Sequence, residues 1–89
     1  MCLTFEKLKF LLYEKFSFHY EQIQLETKLE LELGIDSREM LELFNELEQV
    51  FEIDVDFNEI DHILETIRVL TISDLVGYIE RKRIKNQVF

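Results

Sequence analysis

The sequence predicts an all-α fold, a four-helix up-and-down bundle with a long first loop and a short third helix. Three observations support this prediction: proline is absent, glycine occurs only twice in 89 residues, and apolar residues recur at three- and four-residue steps. Without proline every position can donate a backbone hydrogen bond, and few positions force the chain out of a helix. A chain of this length supports one hydrophobic core, so residues 1–89 are expected to form a single domain.

The first predicted helix runs from about residue 4 to residue 17, with Thr4 as its expected N-cap. Its apolar stripe consists of Phe5, Leu8, Leu11, Leu12 and Phe16. The alternating run Lys28–Leu33 would by itself suggest a strand, but no second run of comparable length could pair with it. Residues 18–35 are therefore expected to form a long ordered loop in which one helical turn could occur.

The second helix is the clearest predicted element. Its apolar stripe consists of Met40, Leu43, Phe44, Leu47, Val50 and Phe51. Asp36 and Glu39 have the spacing of a capping box, in which each side chain accepts a hydrogen bond from an amide at the helix start. Ser37 then falls at the first helical position, where its side chain is free to point outward.

Two further helices complete the predicted bundle. A short one, from about residue 58 to 64, would bury Ile60, Ile63 and Leu64. The last helix is expected to begin near Thr71, which has capping-box spacing to Asp74, and to bury Ile72, Leu75, Tyr78 and Ile79. Residues 81–89 are interpreted as a basic tail, whose first cations would interact favourably with the helix dipole.

The negative charge of the chain is concentrated in its middle. The formal net charge is -9, yet residues 30–65 alone contain thirteen acids against one base, Arg38. Such a surface repels nucleic-acid phosphates and attracts basic protein patches in a salt-dependent way. The sequence therefore excludes nucleic acid as a partner of this face and favours proteins with basic docking surfaces.

The cysteine content and the hydropathy pattern predict a soluble cytoplasmic protein, which we expect to be a monomer. The single cysteine, Cys2, cannot form an internal disulfide, and the N-terminus lacks the features of a secretory signal. Charged residues interrupt every apolar run well before eighteen residues, so no membrane span is predicted.

The residues suited to catalysis are sparse. His19 and His62 are the only histidines, no glycine-rich phosphate loop occurs, and no pattern resembles a nucleophile with its base. Ser37 has no histidine nearby in sequence. The acids lack the spacing and central glycine of a calcium loop. We therefore expect no catalytic residues and no metal site, with both histidines structural or exposed and Cys2 a bystander.

The stretch Leu33–Leu43, followed by Leu47-Glu48 and Val50-Phe51, resembles the acyl carrier protein family over about residues 31–80. The resemblance implies that Ser37, preceded by Asp36, takes a covalent 4′-phosphopantetheine from coenzyme A. It also implies two kinds of partner, a phosphopantetheinyl transferase and acyl-loading or acyl-transferring enzymes. The residues expected to contact partners are Arg38, Glu39, Glu42, Glu46 and Glu48.

Two positions depart from the family pattern. Arg38 stands where the family usually has Leu, and Asp56 stands where Pro is frequent. Because that Leu commonly enters partner pockets, Arg38 could weaken recognition by general enzymes or select a dedicated partner. The alternative function is therefore an acidic interaction module with the carrier fold that is never modified. The sequence does not identify the cargo.

Overall fold

Four α-helices account for most of the chain in the computed structural model, which describes residues 3–87. The helices are α1 (Leu3–Phe16), α2 (Ser37–Phe51), α3 (Phe57–Glu65) and α4 (Ile72–Gln87). Short 3₁₀ turns occupy Tyr20–Gln22 and Ile67–Val69, and residues 3–87 contain no β-strand. Helix α4 packs against α1 and α2, and α3 packs against α2. The predicted helical bundle with a short third helix is confirmed.

Helix α2 contributes the central face of the core. Its buried side chains are Met40, Leu43, Phe44, Leu47 and Phe51. The prediction that Val50 belongs to this buried stripe is wrong, because its side chain is 41% exposed. At 3.6 residues per turn, Val50 lies about 100° around the helix axis from Phe51 and so falls at the margin of the stripe.

Helix α1 packs on the core through Leu8, Leu11 and Leu12, which are buried, and through Phe5 and Phe16, which are partly buried. The prediction that Thr4 caps this helix is wrong. Thr4 lies inside α1, which already includes Leu3, and its side chain is buried. Cys2 lies outside the described residues.

The segment between α1 and α2 is an ordered loop, as predicted. Leu29 N–H donates to the Leu70 carbonyl at 3.0 Å, and Ile72 N–H donates to the Thr27 carbonyl at 3.0 Å. These bonds form a single antiparallel bridge between Lys28 and Thr71 rather than a strand. One helical turn follows, in which Glu32 N–H donates to the Lys28 carbonyl at 3.0 Å. The loop is thereby attached to the start of α4.

The last two helices begin with capping boxes. The predicted box at α4 is confirmed, since Thr71 N–H donates to Asp74 Oδ2 at 2.9 Å and Asp74 N–H donates to Thr71 Oγ1 at 3.2 Å. At α3 the N-cap is Asp56, which forms a capping box with Glu59 that the sequence analysis missed. Helix α4 continues to Gln87, so most of the segment interpreted as a basic tail is helical.

Candidate functional site

The start of α2 is fixed by its cap and by the loop that leads into it. Glu39 N–H donates to Asp36 Oδ1 at 2.8 Å, and Asp36 N–H donates to Glu39 Oε1 at 3.2 Å, which confirms the predicted capping box. Just before the cap, Ile35 is 1% exposed and Gly34 has a φ of 70°. The buried Ile35 and the reciprocal cap hold the first turn of α2 in one position.

Ser37 is the first residue of α2, and its side chain is exposed. Among residues 3–83, whose side chains the structure describes, its hydroxyl has no hydrogen-bond partner. The amides of the first helical turn have no intrahelical acceptor, and the helix dipole is positive at this end. An exposed hydroxyl at such a position fits a phosphodiester, because the helix terminus stabilises the added negative charge.

One side of α2 carries three of the glutamates that are expected to contact partners, Glu39, Glu42 and Glu46. Glu42 is exposed, whereas Glu39 and Glu46 are half-buried. Glu39 also serves the cap through its Oε1 atom. The three residues are separated by three and four positions, so they share one side of the helix and present a continuous acidic strip beginning next to Ser37.

Glu48 and Arg38 have different surroundings. Glu48 is half-buried, and its Oε2 accepts a hydrogen bond from Val55 N–H at 3.1 Å, which ties the end of α2 to the segment before α3. The helical repeat places Glu48 on the side of α2 opposite Glu39. Arg38 is exposed in the first turn and forms no ion pair with any residue that the structure describes.

Both histidines lie at the surface, and among the described side chains neither is hydrogen-bonded to Ser37. His19 is exposed and precedes the first 3₁₀ turn, and His62 Nδ1 lies 3.6 Å from Glu65 Oε1 on its own helix. Among residues 3–87, no group of three potential metal ligands comes together. None of the helices in this range combines the length and apolar character that a membrane crossing requires.

A polar cluster that the sequence analysis missed joins α3 to α4. Lys82 Nζ lies 2.6 Å from Glu59 Oε1, and the Tyr78 hydroxyl donates to the same oxygen at 3.2 Å. Burial by itself would raise the pKa of Glu59, but the hydrogen bond and charge of Lys82 and the Asp56 amide hold it below its ordinary value of 4.5. Burial, followed by the charge of Glu59, raises the pKa of Tyr78. Only the spacing of Asp56 and Glu59, equal to that of Asp36 and Glu39, could have indicated part of this cluster.

Comparison with known proteins adds to this geometry. The family model described as a phosphopantetheine attachment site matches residues 19–79. An acyl carrier protein of Phytoplasma australiense is 34% identical over 79 residues, covering 89% of this chain and 96% of the relative. Those of Campylobacter concisus (strain 13826) and Thermotoga maritima are 31% and 32% identical over 78 residues, each covering 88% of this chain. They are covered over 94% and 89% of their own lengths.

A helical bundle that matches a phosphopantetheine attachment domain over most of its length is a carrier domain. The chain belongs to the acyl carrier protein family. The prosthetic group of this family is 4′-phosphopantetheine, which is attached covalently. The start of α2 offers residues that fit the phosphodiester end of this group.

Proposed function

We propose that the protein carries an acyl group or a related carboxylate cargo, with Ser37 as the residue to which phosphopantetheine is attached. The observation that carries this proposal is the exposed hydroxyl of Ser37 at the first position of a capped helix in a chain of the acyl carrier family. None of the side chains that the structure describes is hydrogen-bonded to this hydroxyl. When attached, the group supplies a terminal thiol that bears the cargo as a thioester. The chain itself then needs no catalytic residue, since a carrier only binds and presents.

The residues around Ser37 position it for this role. With a transferase bound, Ser37 Oγ would attack the phosphorus atom that bears the pantetheine arm of coenzyme A and would lose its proton. The pyrophosphate P–O bond would break, and adenosine 3′,5′-bisphosphate would leave. The Asp36–Glu39 capping box and the buried Ile35 keep this oxygen on a rigid helix start, which favours reproducible docking to a transferase. Asp36 acts here through the cap, because its Oδ1 is engaged by Glu39 N–H.

The acidic strip of α2 is proposed as the surface that partner enzymes recognise. This strip, formed by Glu39, Glu42 and Glu46, begins next to the attachment residue. It would bind basic docking surfaces on the phosphopantetheinyl transferase and on enzymes that load or transfer the cargo. Glu48 would contribute from another side of α2, and Arg38 would contact partners directly beside Ser37. We place this activity in the cytoplasm, because the single cysteine cannot form an internal disulfide and a reducing compartment therefore suits the chain.

Intact-mass measurement tests the attachment residue. The full-length chain is incubated with coenzyme A and a phosphopantetheinyl transferase, and we expect a gain of one phosphopantetheinyl group. The Ser37→Ala variant should gain nothing. Ser73→Ala is a matched control, because Ser73 is also exposed in the first turn of a helix with a capping box, and it should gain as much as the wild type.

An unmodified acidic interaction module is the second candidate. Arg38 favours it, because this residue stands directly after the proposed attachment residue, where the family usually has a Leu that enters partner pockets. If several transferases leave the wild-type mass unchanged while the chain stays folded by circular dichroism, the module replaces the carrier. Modification of the wild type and of an Arg38→Leu variant at equal rates would remove this argument.

A further inference from the structure

Helix α1 carries an exposed apolar groove that the proposed carrier function does not use. The groove has a volume of about 480 Å³ and is lined mainly by apolar atoms. Its apolar residues are Leu3, Phe10, Leu11 and Val50. Leu3 and Phe10 are 74% and 56% exposed, respectively, and exposed apolar surface grouped in this way indicates an interaction site more often than isolated residues do.

The charges around this groove differ from those of the rest of the molecule. The groove is bordered by two acids and two bases, Glu6, Lys7, Glu14 and Lys15. It is therefore close to electrically neutral in a chain whose net charge is -9. Basic docking surfaces, which suit the acidic strip of α2, gain no electrostatic advantage here. The partner of the groove is expected to be apolar and to carry charges of both signs.

The order of these charges along α1 is complementary to itself. Lys7, Phe10 and Glu14 follow one line of the helix surface, because they are separated by three and four residues. The apolar Phe10 is near the middle, and the opposite charges are at the two ends. An antiparallel copy of the same helix would place Lys7 of one chain opposite Glu14 of the other, twice, with the two Phe10 side chains between them.

From this complementarity we propose that the α1 groove binds a second copy of this chain, in a two-fold symmetric antiparallel pairing of the α1 helices. Two-fold interfaces bring the same patch of both copies together, so a self-complementary charge order is the feature they require. Lys7 and Glu14 are exposed, and neither has an ion pair with another of the side chains that the structure describes, those of residues 3–83. The proposal does not depend on modification of Ser37, which belongs to a different helix.

The expected pairing is weak. One helix face is smaller than the roughly 800 Å² per partner of a standard interface, so we expect a dissociation constant on the order of hundreds of micromolar. In dilute solution the chain is then a monomer, as the sequence predicts. The net negative charge of each copy opposes association, so moderate salt should favour it by screening this repulsion.

Sedimentation equilibrium of the full-length chain tests the pairing over a series from about 10 μM to about 1 mM at moderate salt. The wild-type mean mass should rise toward that of a dimer at the upper end. Lys7→Glu and Glu14→Lys should each remain monomeric, because each places like charges opposite one another. An equal mixture of these two variants should associate again, since Glu at position 7 then meets Lys at position 14 of the other chain.

The charge variants separate local pairing from general repulsion. Glu14→Lys makes the chain less negative, so it would strengthen association if repulsion between whole molecules were decisive. The proposed pairing predicts instead that this variant associates less than the wild type. Phe10→Ser should abolish association, and Phe57→Ser should not, although Phe57 is 80% exposed at the start of α3. A wild type that stays monomeric throughout, or single variants that associate as well as their mixture, would overturn the proposal.

Discussion

Gly34 determines how the chain enters the candidate site. Its φ of 70° lies in the left-handed region, which residues other than glycine adopt only at a cost in conformational free energy. A Cβ atom built at this position would meet nothing within 4 Å. Glycine is therefore needed at this position for its backbone conformation and not because a side chain would clash. The position lies two residues before the Asp36 cap.

Replacing Gly34 by alanine should lower the free energy of unfolding by about 1 kcal/mol, because alanine is strained in the left-handed region. Urea unfolding followed by circular dichroism measures this change. Gly77→Ala is the contrasting variant: Gly77 lies in α4, and its added Cβ would lie 3.4 Å from the flexible end of Arg81. This substitution should raise the stability by up to about 1 kcal/mol, since alanine is the better helix former. Equal effects of the two substitutions would contradict the conformational explanation.

At the scale of the elements, the helices could be predicted from local patterns because their determinants lie within a few residues. The Asp36–Glu39 and Thr71–Asp74 boxes and the stripe of α2 are read from spacings of three and four positions, and the structure confirms them. The exposure of Val50 was missed because the residue falls at the margin of the stripe, where apolar spacing alone does not show how far the core extends. The exposed hydroxyl of Ser37 was predicted, since it follows directly from the position of the cap.

The contact between α3 and α4 could not be predicted from such patterns. Lys82 and Glu59 are 23 positions apart, and Tyr78 reaches the same carboxylate from α4 across the bundle. Sequence spacing does not reveal which charged residues of two different helices meet. Lys82 pairs with Glu59 across the two helices, a contact that its interpretation as part of a basic tail did not include.

Lys82→Met should lower the free energy of unfolding at pH 7 by about 0.5–1 kcal/mol, because the partly exposed Glu59 loses its partner and water screens part of the effect. The pKa of Glu59 is lowered by folding, so its contribution is present above pH 4.5 and is lost as the pH falls below that value. The variant should therefore lose less stability than the wild type on acidification. Urea midpoints at several pH values measure both effects.

Arg81→Met controls for the loss of one positive charge from α4, because it leaves the Lys82–Glu59 ion pair in place. It should change the stability less than Lys82→Met does and should keep the wild-type dependence on pH. If both variants respond alike to acid, the ion pair does not link α3 to α4 energetically.

At the scale of the whole molecule, charge is arranged by helix. The acidic strip of α2, in the middle of the chain, would attract enzymes that have basic docking surfaces. The groove of α1 is nearly neutral and would not attract such surfaces. A carrier that must meet several enzymes benefits from a surface whose attraction is long-ranged and mainly affects the rate of encounter. The proposed partners should therefore share the sign of their docking surfaces even if their folds differ.

Glu42→Lys should weaken the binding of a partner enzyme on the order of threefold or more and should flatten its salt dependence, because Glu42 is exposed within the acidic strip. Helix content should stay nearly unchanged. Glu26→Lys alters the net charge equally but lies in the loop before α2, so it should have a smaller effect on affinity. Affinity measured at low and high salt distinguishes them, and an unchanged affinity for Glu42→Lys would remove this residue from the docking surface.

The backbone bridge between Lys28 and Thr71 also bears on synthesis of the chain. Leu29 N–H donates to the carbonyl of Leu70, which lies more than forty positions later, and the Thr27 carbonyl accepts from Ile72 N–H. Closing so long a segment costs entropy and must await the later partner. A nascent polypeptide that has not yet emerged from the ribosome as far as Leu70 lacks both bonds. The approach to Ser37 therefore becomes fully ordered only once the start of the last helix has left the ribosome.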